Sequence, residues 1–269
     1  MIRLQPYNRT QLRALIDAPA FSELPFLPIS YHRAISHIHN PRADQDDTLL
    51  IIAYDDQKMV GYLGILPDWI FDQSGNKSKC GWLSCMWIDP NCRGKGISKK
   101  LVAHALESWN QKILVTEFTG PAKGLYDKSG AFKDLQINEG IRLYIRADLS
   151  KLLPPKSQYF KKLKPFWQVI DLLFNKVFDI RFSFIHLPKP NWQYVSDIDQ
   201  ELNNFISGQQ ENQIFIRQRE ELNWILNYPW IISSNEDAMS QKYYFKTVAK
   251  TFEQKAIKLE NESKEIVGF

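Results

Sequence analysis

The chain has 269 residues, 44% hydrophobic and 24% charged, with a net charge of +4. That composition describes a globular protein with room for more than one domain, and it excludes a disordered or collagen-like chain. The charge is too small to argue nucleic-acid binding. With no apolar run of ~18 residues and no signal core at the N-terminus, a cytoplasmic protein without a transmembrane segment is expected. Cys80, Cys85 and Cys92 lie close together with no histidine at metal spacing, so reduced thiols are expected, and neither a metal site nor disulfides.

In chain order, residues 11–16 and 30–38 read as helices, and residues 48–54 and 59–66 flank the polar "DDQK" as a hairpin. An apolar run, "GWLSCMWI", follows and ends at Asp89-Pro90, where strand pairing must stop. Next comes Arg93-Gly94-Lys95-Gly96-Ile97-Ser98, where two glycines allow positive φ and let consecutive backbone amides converge. Ile97, Leu101, Val102, Ala105, Leu106 and Trp109 then recur at helical spacing. The unpaired amides of that helix start, and its positive dipole end, face the same point, so a phosphate or pyrophosphate belongs there. Residues 113–119, "ILVTEFT", are apolar and β-branched and predict a strand; Pro121 suits a helix start, and Gly130 a helix end. Residues 141–149 predict a closing strand.

The loop lacks both the G-x-x-x-x-G-K-[ST] and the G-x-G-x-x-G patterns. It resembles instead the R/Q-x-x-G-x-G/A signature of the GNAT superfamily of N-acetyltransferases, with Ser98 in place of the usual small residue. "LYDKSGAF" resembles the family's "LYeKxGF", which puts Tyr126 on its tyrosine. The order strand, two helices, hairpin, long strand, loop-helix, strand, helix, strand covers residues 1 to about 150. The resemblance implies an α/β (α+β) fold with a mixed, mostly antiparallel sheet flanked by helices, and acetyl-CoA as co-substrate. Arg93, Gly94, Lys95, Gly96, Ile97 and Ser98 would hold its pyrophosphate. The backbone of Met86, Trp87 and Ile88 would meet its pantetheine arm, and Thr119 stands where the family often carries an asparagine.

Transfer to an amine requires deprotonating the amine, polarising the thioester carbonyl and protonating the thiolate. The resemblance makes Tyr126 the candidate general acid. No carboxylate stands in "GWLSCMWI", so Glu117, in an otherwise apolar strand, is the best remaining base, against a salt-bridged structural role or a water relay. His104 shares the solvent face of its helix. Trp69, Phe71, Tyr31 and Phe26 could wall an acceptor pocket, with Asp68 or Asp72 attracting an ammonium group; packing at the sheet edge is the alternative.

After residue 150 a Pro-Pro break among lysines leads into Phe166, Trp167, Ile170, Leu173, Phe174, Val177 and Phe178, a broad helical stripe. It suits a membrane surface or, more commonly, burial against a neighbouring domain. From Asn191, helices at 199–206 and 219–226 and a hairpin of 256–259 with 266–269 repeat the opening order, "VGF" at the end echoing "VGY" at 60–62. The expected division is a GNAT domain at 1–150, a helical linker at 151–190 and a truncated GNAT-like unit at 191–269 in a fragmentary chain. Three readings stay open: an N-acetyltransferase acting on a primary amine of a small molecule or protein, a catalytically weak acyl-CoA- or ligand-binding protein, and a Fem-like aminoacyl-transferase. A homodimer is a further open expectation.

Overall fold

The computed structural model describes residues 1–116, 118–135, 146–184, 191–211, 213–235 and 238–269. The chain forms two compact units, Met1–Lys133 together with Asn191–Phe269, and Asp134–Pro190.

The first unit opens with β1 (Ile2–Tyr7) and α1 (Arg9–Asp17). Asn8 caps α1 reciprocally: its side chain accepts from the Gln11 amide at 2.9 Å, and the Gln11 side chain accepts from the Asn8 amide at 3.0 Å. α2 (Pro19–Glu23) and α3 (Tyr31–Ile38) lead to a hairpin of β2 (Leu50–Asp55) and β3 (Lys58–Phe71). β4 (Lys77–Ile88), α4 (Ile97–Ser108), β5 (Ile113–Leu114) and α5 (Gly120–Ser129) follow.

The five strands form one sheet in chain order, antiparallel except between β4 and β5. β2 shows why "LIIA" is continuously apolar. Leu50 and Ile52 face one core with Leu12, Ile16 and Ala34, while Ile51 and Ala53 face a second core with Leu101, Val102 and Ala105. Side chains alternate along a strand, so a strand covered on both faces has no polar positions. All six apolar positions expected on the helix after the loop are buried.

The strand expected at 113–119 is only two residues long, because beyond Leu114 the chain diverges from β4 and has no ladder to join. Of the strand expected at 141–149, residues 141–145 lie outside the described residues, and Leu149 begins a helix.

The second unit contains α6 (Leu149–Leu152), α7 (Gln158–Lys162) and α8 (Lys164–Ser183). Asp171 on α8 accepts from the Leu149 and Ser150 amides at 2.7 and 2.9 Å, which pins α6 to one face of α8. The expected burial of the apolar stripe is not observed. Phe166, Leu173, Phe174 and Val177 are each more than half exposed, and only Trp167 and Ile170 are half-buried.

Residues 191–269 contain β6 (Asn191–Val195), α9 (Gln200–Gly208), α10 (Arg219–Asn227), β7 (Ile232–Ser233), β8 (Val248–Ala249), β9 (Ala256–Glu260) and β10 (Ile266–Gly268). The expected hairpin is β9 with β10, and β6 pairs with the other edge of β9 to give a three-stranded antiparallel sheet. Ile198, Leu202, Ile206 and Ala256 form its small core. Apart from α2 in one and the separate β7–β8 pair in the other, the order β6, α9, α10, β9, β10, with β9 central, parallels β1, α1, α3, β2, β3, with β2 central.

This segment packs onto residues 1–133 within the same compact unit. The indole N–H groups of Trp224 and Trp230 donate to the Ser36 carbonyl (2.7 Å) and hydroxyl (2.8 Å), and the Leu27 amide donates to the Lys242 carbonyl at 2.8 Å. Buried donors need acceptors, and here the acceptors lie in the other half of the chain.

Candidate active site

Gly61, Gly64 and Gly81 keep the middle of the sheet narrow. At Gly64 the reason is local: a Cβ would sit 2.8 Å from the Ser84 carbonyl oxygen. Opposite, β4 carries a bulge, since Tyr62 faces Trp87 and Gly64 faces Ser84, so that two residues of β4 oppose Leu63 alone. Cys85, inside the bulge, takes φ of 56°, a left-handed conformation costing about 1 kcal/mol for a side-chain-bearing residue.

β4 and β5 pair only at Gly81 with Ile113 and Trp82 with Leu114, and then part. The gap is a cavity of about 410 Å³. Leu83, Ser84, Cys85 and Met86 line one side, Val115, Phe118, Thr119, Ala122 and Tyr126 the other, and Phe245 reaches it from the C-terminal segment. The lining is mostly apolar. Tyr126 is 6% exposed, edge-on to Phe118 at 6.0 Å and 5.0 Å from Phe132. Burial raises its hydroxyl pKa, so it is a proton donor at neutral pH.

The loop after β4 supplies the second feature. Gly94 and Gly96 have φ of 83° and 73°, and no protein atom lies within 4 Å of where their Cβ atoms would be. They are needed for backbone conformation, and they leave open space beside the chain. Gly96 is the N-cap of α4 and no side chain caps it, so the first-turn amides, beginning with Ile97 and Ser98, have no intrahelical acceptor. The amides of Arg93 and Lys95 close turn bonds onto the Pro90 and Cys92 carbonyls, each at 3.4 Å. The loop's remaining donors are therefore Gly94, Gly96 and the start of α4. An apolar slot along β4, with uncapped amides in the turn that follows the same strand, suits a ligand with an extended arm and an anionic end.

The sequence profile of the acetyltransferase (GNAT) family matches residues 12–131. This segment is a GNAT acetyltransferase domain. Acetyl transfer from an acyl-CoA is the general activity of that family. Among solved structures, a transcriptional regulator from Bacillus halodurans C-125 is 22% identical over 54% of this chain and 99% of its own, with a TM-score of 0.36. Glucosamine-6-phosphate N-acetyltransferase from Arabidopsis thaliana is 16% identical over 54% and 97%, TM-score 0.36. A predicted acetyltransferase with acetyl-CoA from Clostridium acetobutylicum is 16% identical over 54% and 97%, TM-score 0.34. No curated protein matches the chain.

Within the GNAT domain, Met86, Thr119 and Tyr126 line the gap, and the residues from Arg93 to Ser98 form the loop. For Trp87 and Ile88 the expectation concerns the backbone, and their side chains pack into the two cores. The Trp87 ring lies 4.3 Å from Phe26 and 5.7 Å from Tyr62, on the core of α1 to α3, and Ile88 packs in the core of α4. Glu117 lies outside the described residues. Among the described residues lining the gap, none is a carboxylate or an imidazole.

The expected acceptor pocket is not assembled. Trp69 lies under Lys77 and Lys79, the Phe71 amide pairs with the Ile214 carbonyl, Tyr31 is exposed and Phe26 stacks on Trp87. Of the two candidate carboxylates, Asp68 is not available to an ammonium group. Asp72 is exposed, and its carboxylate closes its own turn by accepting from the Ser74 and Asn76 amides. Asp68 is 2% exposed. It accepts from Arg42 at 2.5 Å, from Arg217 at 3.0 and 2.6 Å, and from the Trp82 indole at 2.7 Å. Arg42 in turn bonds Glu221 and the Ile216 carbonyl. Burial alone would raise the Asp68 pKa, but the two-pronged bond and charge of Arg217, with Trp82 and the Trp69 amide, outweigh it and hold it low.

Sequence reasoning missed Arg33. It is 9% exposed, donates to the Ser84 hydroxyl at 2.6 Å and lies 4.5 Å from the Trp230 ring. No carboxylate among the described residues pairs with it. Its partners lie 51 and 197 residues away in sequence, so no local pattern marks it.

Proposed function

We propose that the first compact unit is an acetyl-CoA-dependent N-acetyltransferase acting on a primary amine of a small molecule or protein. The observation that carries this reading is that one strand, β4, lines the gap with Tyr126 on its far wall and then leads into the uncapped Gly94–Gly96 turn. Met86 and Thr119 would flank the pantetheine arm, while Gly94, Gly96, Ile97 and Ser98 would meet the pyrophosphate, with Arg93 or Lys95 adding charge. Acetyl-CoA supplies an activated acetyl thioester. Tyr126 would donate its proton to the leaving sulfur, and backbone amides of β4 at the bulge would polarise the carbonyl.

The acceptor side takes its character from Arg33 and from an Asp68 already neutralised by two arginines. No unpaired carboxylate among the described residues draws a polycation there, so the acceptor is an amine recognised by shape and aromatic contact. Residues 191–269 act as a partial second acetyltransferase-like unit that supplies Phe245 to the gap, with no second cofactor loop among its described residues.

A second reading, a catalytically weak acyl-CoA-binding protein, is favoured by one observation: the described gap lining offers no general base. Glu117 or a water relay must supply it in the enzyme reading. Calorimetry with acetyl-CoA, followed by free-thiol release in an amine screen, separates the two. One acetyl-CoA per chain and amine-dependent thiol release are expected; binding without release selects the second reading, and no binding overturns both.

A further inference from the structure

Residues 146–184 carry eight lysines and arginines against three aspartates, a net charge of +5, whereas the whole chain carries +4. All three aspartates are already engaged: Asp148 with Lys151, Asp179 with Arg146, and Asp171 with backbone amides. Lys156, Lys161, Lys162 and Lys164 are exposed ahead of or at the start of α8, and Lys176 and Arg181 are exposed along it.

α8 presents its apolar side outward. Phe166, Val169, Leu173, Val177, Ile180 and Phe184 recur every three or four residues, so they form one straight stripe of about 27 Å. They are 55, 57, 57, 64, 55 and 78% exposed. Helical geometry puts Lys176 and Arg181 on its two borders. The inner face is taken by Asp171 and Asn175, the latter bonding Ala147 through both its amide and carbonyl. An uncovered apolar area of this size calls for a partner.

We propose that this face of α8 lies on an anionic lipid bilayer, with the helix axis in the plane of the interface. Charge decides between occupants. A second copy would set +5 against +5, whereas an acidic leaflet offers the complementary sign. Phe166 and Phe184 at the two ends of the stripe, and Tyr159 ahead of it, suit the headgroup boundary. No helix of the described residues is long and apolar enough to cross a membrane, so the helix rests on the surface. The inference is independent of the acetyl-transfer reading.

The test is co-sedimentation of the full chain with vesicles of phosphatidylcholine containing about 30% phosphatidylserine. Binding is expected to weaken on the order of tenfold or more on pure phosphatidylcholine, and similarly in 0.5 M salt, where the screening length falls to a few ångström. Leu173→Glu with Val177→Glu should abolish binding while leaving the circular dichroism spectrum unchanged, because both sites are exposed. Lys161→Glu with Lys162→Glu should weaken binding to the acidic vesicles alone. Failure to bind acidic vesicles, or binding untouched by the Leu173 and Val177 changes, would overturn the proposal. So would a dimer in light scattering that those two changes dissociate, because a second copy would then cover the stripe.

Discussion

Asp68→Asn should be among the most destabilising isosteric changes in this chain. The side chain keeps its volume, so no cavity forms; only the charge between two guanidinium groups is lost. Arg42, 6% exposed, would retain Glu221, while Arg217, 32% exposed, would lose its carboxylate partner. Breaking a buried ion pair from one side costs about 3–5 kcal/mol, and the partial exposure of Arg217 argues for about 3. For a unit of this size 1 kcal/mol shifts the melting temperature by about 2–4 °C, so a fall of about 6–12 °C is expected in calorimetry. Arg217→Met should cost less, because Asp68 would keep Arg42 and Trp82. The two changes together should cost clearly less than the sum of the singles, as partners in one network do. Arg217 belongs to the segment that brings Phe245 to the gap, so Arg217→Met should also lower acetyl transfer and speed proteolysis within residues 209–217. Single-variant costs under about 0.5 kcal/mol, or strictly additive ones, would refute the clamp.

Three further outcomes are expected. Tyr126→Phe should lower kcat on the order of tenfold or more, with calorimetric affinity for acetyl-CoA unchanged, because the hydroxyl acts only as the thiolate forms; an unchanged kcat would remove Tyr126 from the mechanism. Gly96→Val should weaken acetyl-CoA binding about tenfold or more, since a β-branched residue resists φ of 73° and its side chain would project beside the loop amides; wild-type affinity would contradict the loop assignment. His37 is fully buried, both ring nitrogens lack partners, and burial followed by the charge of Arg33 pushes its pKa down to about 3. The folded state therefore keeps it neutral while the unfolded chain protonates it below about 6.5, so stability is full above that pH and falls as pH drops towards 3, by at most ~1.4 kcal/mol per unit. Asp68, whose pKa is depressed, loses its contribution only below the ordinary aspartate range, so it does not confound this window. His37→Leu should flatten the loss between pH 6.5 and 4.5 in urea denaturation, and equal slopes in both proteins would show that His37 is not the group responsible.

The features legible in the sequence are those whose cause is local. The spacing of Ile97, Leu101, Val102, Ala105, Leu106 and Trp109 is set by the helical repeat, and all six are buried. Gly94 and Gly96 stand where the backbone turns left-handed, which only neighbouring residues dictate. The Asn8 cap, the hairpin around "DDQK" and the end of α5 at Gly130 follow from the same short-range physics. Tertiary structure decided the rest. β5 is short because a strand needs a partner throughout its length, and β4 turns away from it. Asp68 looks like a ready anion beside Trp69 in sequence, yet it is neutralised by Arg42 and by Arg217, 149 residues further along the chain. Arg33 meets Trp230, and Phe245 meets the gap, only because residues 191–269 pack against residues 1–133. A charge's fate depends on what surrounds it within a few ångström, and sequence separation does not report that distance.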